Sequence, residues 1–327
     1  MIVTRELDPL PVDEVEAVVS VGVFDGVHLG HQAILARNRE VAAASGLRPT
    51  VVTFSEHPKT VLLGRAPRTL TTLEHRLELF RRAGIGHTLV LTFDEILRDT
   101  PAERFIDDVL VGGLRARSFV LGFDSKFGRG RRGGADLLSA LGHRVEVVQK
   151  VVVGQRAVSS SAIREAVELG DLEGARRMLG RRVSVLGTVV RGQALGRELS
   201  FPTANLDLAH ELHPPPGVYA CRANVLALDG AHSVETHHDA VTNIGYRPTL
   251  GGERSGEATI EVHLLAYDGD LYGRALELEF VERLRDERAF PDLAGLREQI
   301  GRDVARAREI LLQKGGEADG RDSGESR

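Results

Sequence analysis

The sequence predicts a parallel α/β half followed by an antiparallel β-barrel that one helix closes. Three observations point there. From Val18 to Gly180, apolar β-branched runs alternate with amphipathic helical stretches, the pattern of βαβ units around a parallel sheet. From Val183 the apolar period changes to two, and strands follow one another without helices between them, as in an antiparallel barrel. A helical period then returns at L-A-G-L-R-E-Q-I-G-R-D-V-A-R-A-R-E-I-L-L, residues 293–312. The expected boundaries are 1–182 for the first domain and 183–314 for the second. Residues 315–327 are polar and Gly-rich, and a disordered tail is expected there.

The 327 residues are enough for two cores, and 42% hydrophobic with 27% charged residues is ordinary for a globular protein. A net charge of −5 gives no general pull toward nucleic acid or an anionic membrane. One cysteine, Cys221, excludes an internal disulfide and suits a reducing compartment. The N-terminus lacks a signal-peptide pattern, and no apolar run approaches the roughly 18 residues of a membrane span. A soluble cytoplasmic protein, monomeric or weakly self-associating, is the expectation.

The first half is organised around V-V-S-V-G-V-F-D-G-V-H-L-G-H-Q, residues 18–32. A buried strand ends there in an Asp25-Gly26 turn, and a helix opens near Gly30 and closes at Gly46 as its C-cap. Free N–H groups and the positive end of the helix dipole make such a turn an anion site. His28 and His31 fall three residues apart within it, on one face of a starting helix, and Gly30 between them allows close approach to the backbone. Further strands are expected at Thr50–Phe54, His87–Phe93, Arg117–Phe123 and Arg144–Val148. Thr71 with Glu74, and Thr100 with Glu103 and Pro101 at the first helical position, read as capping boxes. In a parallel sheet the ligand lies at the carboxyl ends of the strands. Three more stretches fall there. His57-Pro58 is either part of that edge or a simple strand end. Gly122-Phe123-Asp124-Ser125-Lys126-Phe127-Gly128 leads into a basic loop with Arg129, Arg131 and Arg132, which is either a cover over substrate or a solvated loop. Ser159-Ser160-Ser161 opens a helix carrying Arg164, a good N-cap whose hydroxyls and guanidinium could also hold a leaving pyrophosphate.

In the second half, strands are expected in residues 183–190, 217–228, 240–245, 258–267 and 275–281, with Asp229-Gly230 and Asp268-Gly269 as hairpin turns. Gly192, Gly196 and Arg197 suit a loop around phosphates. Pro202-Thr203-Ala204-Asn205 offers two hard oxygen donors, the kind Mg²⁺ takes beside phosphates and water. Glu261 lies on a strand between Ile260 and Val262, and is a solvated outward residue unless its face lines the nucleotide, where it could serve as a base.

H-L-G-H resembles the signature of nucleotidylyltransferases, in which two imidazoles stabilise charge on a pentavalent α-phosphate. Together with G-F-D-S-K-F-G, S-S-S-A-I-R, F-P-T-A-N, N-I-G-Y-R-P-T and I-E-V-H-L-L-A-Y, in this order, the chain resembles the bifunctional riboflavin kinase/FMN adenylyltransferases of prokaryotes. The resemblance implies a Rossmann-like nucleotidylyltransferase domain and a riboflavin-kinase barrel, with ATP, riboflavin and FMN as substrates and Mg²⁺ as cofactor. It implies His28 and His31 as transition-state stabilisers and Glu261 as the base toward the riboflavin hydroxyl. Thr203 and Asn205 would hold Mg²⁺. Gly22, Phe24, Gly26, Gly30, Asp124, Ser160, Ser161 and Arg164 would bind nucleotide in the first domain, and Gly192, Gly196 and Arg197 in the second. Small molecules are thus the expected partners, with nucleic acid and membrane argued against. Ser125 stands where the family usually carries an aromatic. A single-activity kinase and a flavin-sensing regulator are the alternative readings.

Overall fold

The computed structural model describes residues 1–5, 15–191, 201–208, 211–226, 234–246 and 258–319. The chain divides into two compact units, residues 1–163 with 178–180, and residues 164–177 with 181–327.

The first unit is built on a six-stranded sheet: β1 (Ile2–Arg5), β2 (Ala17–Val21), β3 (Arg48–Phe54), β4 (His87–Leu91), β5 (Ala116–Gly122) and β6 (Arg144–Val148). Its order is β1-β4-β3-β2-β5-β6, and its five pairings are all parallel. β1 was not expected from the sequence. All five residues of β2 are buried, as a central strand covered on both faces requires. One face packs on Phe105, Ile106, Leu110, Phe119 and Leu138, the other on Leu35, Val41, Phe80 and Ile85. Each such side chain contributes about 1.5–3 kcal/mol when removed from water. The connection β2–β3–β4 runs toward one edge and β5–β6 toward the other, so the order reverses between β2 and β5. A parallel sheet opens its ligand crevice at that point, outside the carboxyl ends.

Two capping expectations are corrected. The helix expected to start at Thr71 spans Leu73–Arg82 with Thr72 as N-cap, whose side chain accepts from His75 N. Thr71 is turned the other way, toward Asp25 and Gly26. Thr100 likewise ends the helix Glu95–Asp99, its hydroxyl donating to Ile96 O, and does not cap the next. Pro101 is the N-cap of Ala102–Arg104, which continues as a π-helix over Phe105–Gly113.

After a short hairpin of β7 (Val152–Val153) and β8 (Arg156–Ala157), helices Ser160–Glu168 and Leu172–Leu179 follow. In the second unit, β9 (Ser184–Val190), β10 (Ala204–Asp207), β11 (Gly217–Leu226), β12 (Val234–Tyr246), β13 (Ala258–Leu264) and β14 (Ala275–Arg285) close a barrel in the order β10-β13-β12-β11-β14-β9. All six pairings are antiparallel. Asp268-Gly269 does not turn a hairpin: β13 pairs with β10 and β12, while β14 pairs with β9 and β11, so the segment between them crosses to the other side. Asp229-Gly230 lies outside the described residues. Tyr219, Cys221 and Ala223 of β11 fill the interior with Leu276, Leu278 and Phe280 of β14. The helix Leu293–Asp319 covers the outside through Val304, Ala307, Ile310 and Leu311 against Val218, Ala220, Val241 and Val281. Arg285 anchors it, binding Asp303 with its Nε and Nη2.

Candidate active sites

The 22–32 turn leaves β2 at the reversal point of the sheet. His28 is the N-cap of the helix Leu29–Ser45, and its Nδ1 accepts from His31 N at 3.3 Å. An imidazole nitrogen that accepts carries no proton, so the neutral tautomer compatible with this bond carries its proton on Nε2. The two rings stack, with centroids 3.6 Å apart and planes 14° from parallel. Gly30 leaves room for this pairing, since a Cβ there would lie 3.2 Å from His28 Cε1 and press on the ring. Its small size therefore serves the histidine ring.

The turn itself is strained. Phe24 and Val27 have φ of 53° and 38°, a left-handed region that bulky and β-branched residues avoid at a cost of about 1–3 kcal/mol. Phe24 is 3% exposed, its ring edge-on to His31 at 5.2 Å and to Phe80 at 5.5 Å. It faces the core, and Gly22 lets it fold back, since a Cβ there would meet the ring at 3.0 Å. Gly26, with φ of 80°, rests on Leu70.

The segment Leu70–Arg76 braces the turn from outside. Asp25 Oδ1 accepts from Leu70 N and Thr71 N at 2.9 and 3.1 Å, and Thr71 Oγ1 accepts from Gly26 N at 3.0 Å. Gln32 ties two carbonyls, Val27 O and Leu179 O. Ser160 donates to Asp25 O at 3.0 Å, which brings the start of its helix to the turn, while Ser159 accepts from Ala162 N as the cap. Ser161 is exposed. Arg164, one turn further, falls in the second unit and is 9% exposed. Of these bracing residues, the sequence gives only Ser160 a part in the site; Asp25 reads there as a turn residue and Thr71 as a helix cap.

Asp124 and the 54%-exposed Phe123 follow β5, the strand across the reversal from β2. Ser125 closes that loop, its Oγ accepting from Gly122 N at 3.1 Å. The following loop is pinned by a bridge between Phe127 and Gly133, with Lys126, Arg129, Arg131 and Arg132 exposed. His57 Nδ1 accepts from Lys59 N beyond the end of β3. On the same carboxyl edge, at the end of β4, lies a cavity of about 490 Å³. Leu91, Leu97 and Val109 give it an apolar wall, with Thr92, Asp94 and Arg104 among its polar lining.

In the second unit the register gathers residues far apart in sequence. Asn205 of β10 stands opposite Glu261 of β13, and Glu261 opposite Asn243 of β12. Their chain neighbours Ala204, Leu206, Ile260, Val262, Thr242 and Ile244 are buried in the barrel, so the three form one row on its outer face. Cross-strand neighbours place Cβ atoms about 5 Å apart, within reach of one phosphate group. Thr203 directly precedes β10, and His263, beside Glu261, takes Pro202 O as partner at 2.8 Å. The stretch Pro202–Asn205 thus runs into a barrel strand, with Asn205 on β10. Asn243 was not foreseen, because only the pairing of β12 with β13 puts it in the row. Gly192, Gly196 and Arg197 lie outside the described residues.

Comparison with known proteins matches both halves. The FAD synthetase family profile covers residues 11–162, and the riboflavin kinase profile residues 179–311. The chain is 38% identical over 320 residues to the bifunctional riboflavin kinase/FMN adenylyltransferase of Pseudomonas fluorescens, covering 95% of this chain and 98% of that one. The proteins of the same description from Bacillus subtilis and Escherichia coli K12 are 34% and 36% identical, each spanning 90% of this chain and 92% of their own length. A crystal structure described as a macrolide-efflux protein from Streptococcus pneumoniae shares the fold at a TM-score of 0.78 and 27% identity, over 94% of this chain and 99% of that one. With the stacked histidines at the sheet reversal and the Asn205–Glu261 row on the barrel in one polypeptide, the chain belongs to the bifunctional riboflavin kinase/FMN adenylyltransferase family.

Proposed function

We propose that this chain makes FMN and then FAD, phosphorylating riboflavin in the barrel and adenylylating FMN at the histidine turn. The observation that carries the reading is the presence of both constellations in one chain, each on the element its chemistry needs. A single-activity kinase or a flavin sensor is not favoured by relatives that match both halves end to end. In this reading residues 1–182 carry the adenylyltransferase and 183–314 the kinase.

In the kinase half, Glu261 takes the proton of the riboflavin 5′-hydroxyl as its oxygen attacks the γ-phosphorus of ATP, and ADP leaves. Thr203 and Asn205 present a hydroxyl and an amide oxygen, a donor set that fits Mg²⁺. When bound, the ion neutralises phosphate charge. Asn205 also fixes the site relative to Glu261, because the two are register partners. Gly192, Gly196 and Arg197 complete the phosphate loop.

In the other half, a phosphate oxygen of FMN attacks the α-phosphorus of ATP, and pyrophosphate leaves. The attacking group is already an anion, so no base is needed. His28 donates from Nε2 and His31 lies against it, both meeting charge that grows on the α-phosphate. Gly22, Phe24, Gly26 and Gly30 act by shaping the turn; Asp124 positions nucleotide across the reversal, and Ser160, Ser161 and Arg164 hold the triphosphate. The cavity at the end of β4 lies two strands from β2, roughly 10 Å at the spacing of sheet strands, and its apolar wall suits a flavin ring. The protein acts in the cytoplasm, as a monomer or weak homo-oligomer. No helix among the described residues is long and apolar enough to cross a membrane.

Incubation of the purified chain with riboflavin, ATP and Mg²⁺, followed by chromatography of the flavins, tests this. FMN should appear first and FAD after it. FMN without FAD would reduce the function to the kinase alone, and flavin binding without turnover would point to a sensor.

A further inference from the structure

The helix Leu73–Arg82 reads as amphipathic, yet one of its basic residues, Arg76, is only 4% exposed. Burial of an arginine costs several kcal/mol unless its charge is matched. Here its hydrogen bonds go to neutral oxygens. Nη1 donates to Val23 O and, at 3.3 Å, to Thr53 Oγ1, and Nη2 donates to Phe54 O at 3.2 Å. Thr53 Oγ1 itself donates to Val23 O at 3.2 Å. Burial pushes the guanidinium below its ordinary value, opposed by the charges of Asp25 and Glu74. Nε is buried without a hydrogen-bond partner. A residue this poorly compensated is a weak choice for stability alone.

Its location supplies a reason. Val23 O belongs to the peptide that precedes Phe24, the left-handed residue whose ring backs His31. Phe54 O ends β3, the neighbour of β2 in the sheet. The guanidinium fork therefore joins the entry of the turn to the carboxyl edge. We infer that Arg76 is a positioning residue for adenylyl transfer: by clamping Val23 O to the end of β3, it holds Phe24 in its left-handed conformation and His31 in register with the α-phosphate. This rests on the reading of the turn as the adenylyl-transfer site.

The test is steady-state kinetics of the full chain carrying Arg76→Ala and Arg76→Lys, with riboflavin phosphorylation by the same polypeptide as the control. In Arg76→Ala, kcat for FMN adenylylation should fall about 10²-fold, the cost of a misplacement near 1 Å, while the KM values for ATP and FMN move far less. Riboflavin phosphorylation should be unchanged. Added guanidinium chloride at millimolar concentration should restore adenylylation in Arg76→Ala by about tenfold, since the planar fork is what is missing. Arg76→Lys should remain as slow as Arg76→Ala, because an ammonium cannot span both carbonyls. A kcat in Arg76→Ala close to wild type overturns the inference. So does full activity in Arg76→Lys, which would make the charge sufficient. Loss that guanidinium does not restore, with the thermal transition of the first unit abolished, makes Arg76 a fold residue and overturns it too. A wild-type chain that makes no FAD from FMN would instead remove the functional reading beneath it.

Discussion

Thr71→Val isolates one brace of the histidine turn. The substitution keeps the shape of a side chain that is 1% exposed and removes its hydroxyl. That hydroxyl is the acceptor for Gly26 N at 3.0 Å and faces Asp25 Oδ1 at 3.4 Å. Removing one partner of a buried hydrogen bond costs about 1–3 kcal/mol, because the remaining donor has already lost its water. A unit of this size shifts its melting temperature by about 2–4 °C per kcal/mol, so the first unit should melt roughly 2–12 °C lower. Gly26 sits at a φ of 80° in the same turn as His28, so adenylylation should weaken together with stability while riboflavin phosphorylation stays. Thr71→Ser, which keeps the oxygen, should recover most of both losses. Scanning calorimetry with paired assays of FMN and FAD formation reads all of this. A Thr71→Val protein that melts with wild type and adenylylates FMN at the wild-type rate would refute the bracing argument.

Other expectations follow from the same geometry. Gly26→Ala forces a left-handed alanine and sets its Cβ 2.7 Å from Leu70 Cδ1, whose flexible end can yield; a loss of about 1–2 kcal/mol should appear in the same calorimetric transition. Asp303→Ala strands the Arg285 guanidinium under the closing helix. Since Arg285 keeps 20% of its side chain exposed, the loss should be about 2 kcal/mol, below that of a fully buried pair, and should lower the thermal midpoint for riboflavin phosphorylation but not for adenylylation. Cys221 is fully buried, and burial pushes its thiol up to about 12. It should resist iodoacetamide at neutral pH in the native chain and react once the chain is unfolded, as mass spectrometry would report. Its raised value also sets a sign: the unfolded thiol ionises from about pH 9, so the stability this group contributes is complete below that pH and is lost as pH rises toward 12. Barrel unfolding followed over that alkaline range checks it.

Local patterns in the sequence account for much of the architecture. A buried run into a glycine turn places β2 and its helix, with Gly46 as the C-cap, because capping is decided within a few residues. The change of period at Val183 places the barrel. What local pattern could not supply is anything decided by pairing across the fold. Thr71, with Glu74 three residues on, reads as the N-cap, but Asp25, 46 residues away, claims it and Thr72 caps the helix instead. Asp268-Gly269 has hairpin chemistry, yet β13 and β14 have other neighbours in the barrel. The row of Asn205, Glu261 and Asn243 exists only through two strand registers. Arg76 carries no sequence mark at all: in L-E-H-R-L-E-L-F it reads as a polar helix position, and its buried environment comes from Val23, Thr53 and Phe54.

The central claim is that one chain holds two separable sites, the histidine turn and the Asn205–Glu261 row. The most direct measurement is flavin product analysis of His28→Ala, Asn205→Ala and an equimolar mixture of the two, each with riboflavin, ATP and Mg²⁺. His28→Ala should stop at FMN, Asn205→Ala should leave riboflavin unchanged yet convert added FMN to FAD, and the mixture should make FAD from riboflavin. Loss of both activities in either single variant, or a mixture that makes no FAD, would contradict it.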